Sequence, residues 1–144
     1  MSIKFDPRKV VVSFNNVPLS GFAGGTFISC NRRKPFGALE ELGADGEGAF
    51  VLSGDHSYVI ELTLKKASPS NTILSQFAKA TTIGAPVVGP FNVQDLSMFA
   101  LFDAEEVMLV ESPPWVREGG DKLGDNVWKF HAKKGTEYQP GSAA

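Results

Sequence analysis

One stretch constrains the fold of this 144-residue chain more than any other. Between Ser57 and Ala80 the spacing of apolar residues changes from two to three or four. Tyr58, Ile60, Leu62 and Leu64 fall on one face of an extended chain, and Val59, Glu61, Thr63 and Lys65 on the other. That period predicts a half-buried antiparallel strand. At Ser68-Pro69 the period breaks: the Ser68 hydroxyl can accept from a free first-turn N–H, and Pro69 sits where its missing donor costs nothing. Ile73, Leu74, Phe77 and Ala78 then form one apolar stripe at helical spacing. A helix so short is marginal in water, so its stripe must be held against a sheet. The pattern predicts a β-domain closed or plugged by one helix.

The rest of the chain reads as further strands. Lys9 to Phe14 alternates, with Val10, Val12 and Phe14 on one face, and Asn15-Asn16 with Val17-Pro18 reads as a turn. Leu19 to Phe22 and Thr26 to Arg32 follow as strands, the first pair forming a hairpin or tight meander. From Asn31 to Gly48 the pattern fails, and an unpatterned connection of that length usually has a role or is disordered. Ala49 to Leu52 resumes a strand, and Gly54-Asp55-His56-Ser57 reads as a hairpin turn into the strand at Tyr58. After a loop over Thr81 to Gly89, Phe91 to Leu96 alternates. Met98 to Phe102 and Glu106 to Glu111 predict a hairpin around Asp103-Ala104. Val107 to Val110 is apolar on both faces, so it needs cover on both. Trp115 to Asp125 is a glycine-rich turn region, and Val127 to Ala132 is a last strand with Trp128, Phe130 and Ala132 inward. The expectation is a single domain over residues 1–144, with a flexible tail from about Gly135, where no core pattern is present.

Residues suited to catalysis do not converge in the sequence. His56 falls in a turn and His131 on an outward strand face, neither with Cys, His or carboxylate at metal-ligand spacing. Asp45-Gly46-Glu47-Gly48 lacks the ligand series and terminal Glu of a calcium loop. Gly46 and Gly48 are not followed by the helix and Lys-Ser/Thr of a phosphate loop. Glu105 and Glu106, adjacent on a strand, are expected to point to opposite faces. Cys30 is the single cysteine, which excludes an internal disulfide and favours a reducing compartment; with Ile28 and Arg32 on its face it reads as a small buried side chain. The reading is of a non-enzyme without cofactor or metal.

Charge is distributed unevenly. The net charge of −2 gives no general drive toward nucleic acid. Arg32, Arg33 and Lys34 form a basic run followed by Phe36 and are the candidate inter-subunit loop. No Lys or Arg occurs between Lys79 and Arg117, where Asp95, Asp103, Glu105, Glu106 and Glu111 make a candidate acidic channel or interface surface. Either two solvated patches or a polarised subunit fits this pattern. The amino-terminal residues have no apolar stretch of signal length, and no segment is long enough to span a bilayer, so the expectation is a soluble protein made in cytoplasm without stable membrane association.

Taken together, these residues resemble the inner tail tube proteins of contractile-tailed bacteriophages. The similar stretches are Ser13-Phe-Asn-Asn-Val-Pro-Leu-Ser-Gly-Phe22, Gly25-Thr-Phe-Ile28, Gly43-Ala-Asp-Gly-Glu47, Leu62-Thr-Leu-Lys-Lys-Ala-Ser-Pro-Ser-Asn71, Val88-Gly-Pro-Phe91 and Trp128-Lys-Phe130. The resemblance implies a mainly β fold: an antiparallel β-barrel or rolled β-sandwich with one short flanking α-helix. It implies hexameric rings stacked into the tube through which DNA is delivered to the host. Partners implied are tail sheath, baseplate, tape-measure and tail-terminator proteins, in the virion tail, with host cytoplasm as the site before assembly. DNA would pass transiently, so the channel should avoid a continuous basic face. Bacteriocin tubes and the Hcp-like rings of secretion machines share the fold. The other reading is a non-catalytic β-sandwich that binds a ligand or protein.

Overall fold

The computed structural model describes residues 5–41, 44, 46–120 and 123–140. Its strands are β1 (Val10–Phe14), β2 (Val17–Leu19), β3 (Ile28–Arg32), β4 (Gly37–Glu41), β5 (Gly48–Leu52), β6 (Tyr58–Lys65), β7 (Val88–Asp95), β8 (Ala100–Glu111), β9 (Asp125–Ala132) and β10 (Gly135–Tyr138); the helix α1 spans Ser70–Thr82 between β6 and β7. Eight strands make one antiparallel sheet in the order β2-β1-β7-β8-β9-β6-β3, with β10 added to β8. The sheet rolls without closing. Its two edges, β2 and β3, lie on one continuous stretch of chain, which leaves β1 and crosses to β6. There Lys65 N donates to Gly21 O (2.9 Å) and Thr63 N to Phe27 O (2.8 Å). The fold is thus the mainly β, rolled-sandwich architecture with one flanking helix.

Alternation places the core as expected. Tyr58, Ile60, Leu62 and Leu64 of β6 are buried with Trp128, Phe130 and Ala132 of β9 and Val10, Val12 and Phe14 of β1. Leu74 of α1 is fully buried on this surface, and Phe77 and Ala78 pack partly against it. Phe14 is the hub: its ring centroid lies 5.6 Å from Phe77, 6.1 Å from Phe91 and 5.0 Å from Phe130. The helix thereby plugs the open side of the roll.

The junction between β6 and α1 is built by the Ser68-Pro69-Ser70-Asn71 segment. The Ser68 hydroxyl donates to Ser20 O (2.5 Å) and accepts from Ser70 N (3.3 Å). Ser20 N in turn donates to the Ser70 hydroxyl (2.9 Å). Asn71 Nδ2 donates to Lys65 O (2.8 Å), while its Oδ1 accepts from the Trp128 indole (2.9 Å). The helix begins one residue later than the spacing suggests, with Pro69 at the cap position and no side-chain cap bond of its own. Gly21 stands against this clasp with φ +77°, and a Cβ there would meet the Ser68 Oγ at 2.5 Å. Glycine is required by both the backbone and the contact.

Several sequence expectations are corrected. Asn15 and Asn16 do turn the first hairpin, at φ 52° and 64°, but Val17 and Pro18 already belong to β2, an edge strand where Pro is tolerated. Met98–Phe102 and Glu106–Glu111 are not two strands of a hairpin. Ala100–Phe102 and Glu106–Glu111 belong to the single 12-residue strand β8, and Met98 and Phe99 lie in the turn before it. Its hairpin partner is β7, and the turn lies at residues 96–99. Opposite Gly89 to Phe91, β8 runs from Val107 to Ala104, so three steps on β8 face two on β7. This bulge leaves Glu105 and Glu106 both exposed between the buried Ala104 and Val107. They therefore do not fall on opposite faces. The Gly54–Ser57 turn does not join paired strands either, because β5 pairs with β4 and β6 with β3 and β9. Past Gly135, where no core pattern is present, residues 135–138 are held by β8 through backbone pairing, moving the start of any free tail beyond Tyr138.

Candidate assembly surfaces

The connection expected to be unpatterned, Asn31 to Gly48, contains β4, and β4 with β5 forms a hairpin of its own. These strands pair with each other and with no strand of the main sheet. Phe36 is 67% exposed, Leu39 65%, Phe50 88% and Leu52 84%. No single core covers them, which is why their spacing carries no period. Asp45, part of the acidic loop read from the sequence, lies outside the described residues.

The base of this hairpin is fixed by the basic run. Arg32 donates to the Tyr58 hydroxyl (3.3 Å), to Asp55 O (3.1 Å) and to Nδ1 of His56 (3.2 Å), since a guanidinium can only donate. It also lies over the Phe36 and Tyr58 rings, 5.3 and 5.4 Å from their centroids. Arg33 N to Ser57 O (3.1 Å) and Ser53 N to Phe36 O (3.0 Å) tie the two legs. Hydrogen bonds from the Ser57 hydroxyl and N–H hold the Asp55 carboxyl below its ordinary pKa of 3.8. Of the four candidate residues, Arg32 thus faces its own chain, while Arg33, Lys34 and Phe36 are exposed.

The five candidate acidic residues lie on β7 and β8 without forming one cluster. Asp95 ends β7 and accepts from Ser97 N (3.0 Å) and its hydroxyl (2.6 Å), shaping the β7–β8 turn. Asp103 and Glu105 are exposed. Glu106 pairs with Lys133 (3.2 Å) and Glu111 with Lys129 (3.7 Å), which also reaches Glu61 (3.8 Å). Such exposed pairs contribute little stability. The double-sided apolar run on β8 is covered on one side only: Val107 and Leu109 are buried, while Met108 is half-buried and Val110 exposed.

Groups with chemical potential are dispersed. Among the described residues no three His, Cys, Asp or Glu side chains come together as metal ligands. Cys30 is half-buried against the core. Burial, with a smaller contribution from Glu137, pushes its thiol up to about 12. No helix among the described residues is long and apolar enough to cross a membrane.

At the far end of β6 lies a groove of about 410 Å³ between α1 and the segment linking β8 to β9. Pro113, Pro114 and Trp115 form one wall, with Lys66, Ala78 and Arg117 around them. Trp115 is 83% exposed. Arg117 stacks on it at 4.9 Å, and Lys66 Nζ donates to Val116 O at 3.1 Å, fixing the segment. The glycine-rich turn region expected from Trp115 to Asp125 thus begins in a wall of this groove. Leu39, Phe50, Leu52 and Trp115 are not among the candidate site residues of the sequence, where their signal is no more than a large apolar side chain.

This fold is shared by tube and tube-terminator proteins of contractile injection systems. The tube-terminating cap of the anti-feeding prophage superposes with a TM-score of 0.67 at 9% identity, covering 96% of this chain and 93% of its own. The sheath/tube terminator of an extracellular contractile injection system, PVC, matches at 0.67 and 10% identity, over 95% of this chain and 98% of its own. A chain of the PVC sheath-tube complex in the extended state matches at 0.63 and 11% identity, over 94% and 92%. No family model matches the chain, and no curated protein does so by sequence.

Proposed function

We propose that this chain is a structural, non-catalytic subunit of the tail tube of a contractile-tailed phage particle. Six copies form a ring, and rings stack into a conduit for DNA. The observation that carries this reading is the likeness over nearly the whole chain to tube and terminator folds, with no large insertion or loss on either side. The structure supplies physical reasons for assembly: two sheet edges with unpaired backbone groups, and a hairpin whose apolar side chains have no cover. One domain of this size cannot surround a DNA duplex, whereas a ring can.

Two of the three reported likenesses are to terminators, which favours a second reading, a ring that ends the tube. Negative-stain microscopy of the purified chain tests both. Rings that extend into tubes with a central hole support the tube subunit, and single rings that never stack at high concentration support the terminator. Monomers or compact dimers at all concentrations would overturn both and favour a binding module. Membership of a phage tail is tested by mass spectrometry of purified particles. A DNA titration near physiological salt should show weak or no binding by rings, since a conduit must release phosphates.

A further inference from the structure

The hairpin and the groove are chemically opposite and lie at opposite ends of one strand. Residues 36–52 carry Glu40, Glu41, Asp45 and Glu47 and no Lys or Arg, together with the exposed Phe36, Leu39, Phe50 and Leu52. The groove carries Lys66 and Arg117, no carboxylate among its described lining residues, and the apolar wall of Pro113, Pro114 and Trp115. Acidic and apolar on one side, cationic and apolar on the other, the two surfaces are complementary.

Topology prevents them from meeting within one molecule. The hairpin leaves β3 after Arg32 and returns at Tyr58, which is paired with Arg32 at the start of β6. The groove begins at Lys66, immediately past the other end of β6. An eight-residue strand spans about 26 Å at roughly 3.3 Å per residue. The unburied hairpin side chains also show that it does not fold back along its own sheet. A patch at one end that fits a different patch at the other end makes a head-to-tail contact, which propagates along the strand direction.

We infer that the groove between α1 and the Pro113–Arg117 segment is the socket for the β4–β5 hairpin of a second copy of this chain. Trp115 and the two prolines receive Phe50 or Leu39, and Lys66 and Arg117 face Glu40 of the hairpin. The inference rests on the stacked-ring reading and names the contact that stacks the rings. Within a ring the sheet edges do the joining, so loss of the socket leaves rings intact.

Two measurements test it. In a Cys30→Ser background, a Phe50→Cys copy and a Trp115→Cys copy are mixed and mildly oxidised. A disulfide-linked pair of unlike copies, absent when either variant is alone, is the expected result. Links only between Phe50→Cys copies, or none in a sample shown by microscopy to stack, would overturn the socket. Separately, Arg117→Glu should raise the concentration for stacking at least tenfold without changing ring formation, and adding Glu40→Lys should restore much of it. Rings that stack as well in Arg117→Glu and Trp115→Ala as in the native chain refute the socket while the tube reading stands. A native chain that forms no rings refutes the tube reading, and the cross-linking of unlike copies still decides the contact.

Discussion

Phe14 is the side chain on which the attachment of the helix depends. It is fully buried, and it touches Phe77 of α1, Phe91 of β7 and Phe130 of β9. Truncation to Ala removes the six-carbon ring, whose packing is worth about 3–5 kcal/mol in a buried site. Loss of three aromatic contacts, each worth about 0.5–1.5 kcal/mol and not independent, places the cost near the upper end, about 4–5 kcal/mol. Unfolding entropy of about 2.1 cal/mol/K per residue gives about 0.3 kcal/mol/K for this length, so the midpoint should fall by about 13–17 °C. The measurement belongs in a non-stacking background such as Arg117→Glu at low concentration, because assembly would add stability by mass action. Chemical denaturation followed by tryptophan emission reports the same loss, Trp128 being bonded to Asn71 of the helix. Phe14→Leu, which keeps most of the volume, should cost less than half as much. A loss below about 1.5 kcal/mol for the Ala variant would refute the hub and with it the packing of the helix as the plug.

Gly135→Ala should destabilise by about 1–3 kcal/mol, read by thermal unfolding, because a Cβ there would stand 2.6 Å from the Tyr58 ring and 2.9 Å from that of Phe102. Cys30 should resist a thiol reagent at pH 8 in the native protein and react fully on unfolding, because its thiol is pushed up to about 12; prompt native labelling would show that the β3 edge opens. The Asp55 carboxyl is held below 3.8 by Ser57. Its contribution is therefore present above pH 4 and lost as pH falls through the lowered native value, so Asp55→Asn should flatten the acid limb of the stability profile. An unchanged acid limb would refute that assignment.

The alternation of β6 and β9, the Asn-Asn turn after β1 and the helical stripe with its Ser68-Pro69 start were legible because each encodes burial of one face by local spacing. Residues two, three or four apart must point together, and no partner need be known. Ser70 and Asn71 are legible only as residues at a helix start; that they clasp Ser20 and Trp128 depends on segments 50 residues before and 57 residues after them. The unity of β8 was hidden because a bulge placed Glu105 and Glu106 together on the exposed side and imitated a turn. Strand β10 was hidden because backbone pairing to β8 makes no demand on side-chain pattern. The hairpin of β4 and β5 lacks a period because its apolar residues face no core of their own chain, and the groove is made of Lys66, residues of α1, the stretch from Ser112 to Arg117, and Asn126 and Trp128 of β9, which only the fold brings together. Sequence alone therefore determined a β-domain with one packed helix, since burial of a core is written in local spacing. Which strands neighbour which, and which surfaces are left without cover at opposite ends of β6, was decided by pairing across the whole chain, for which local spacing has no notation.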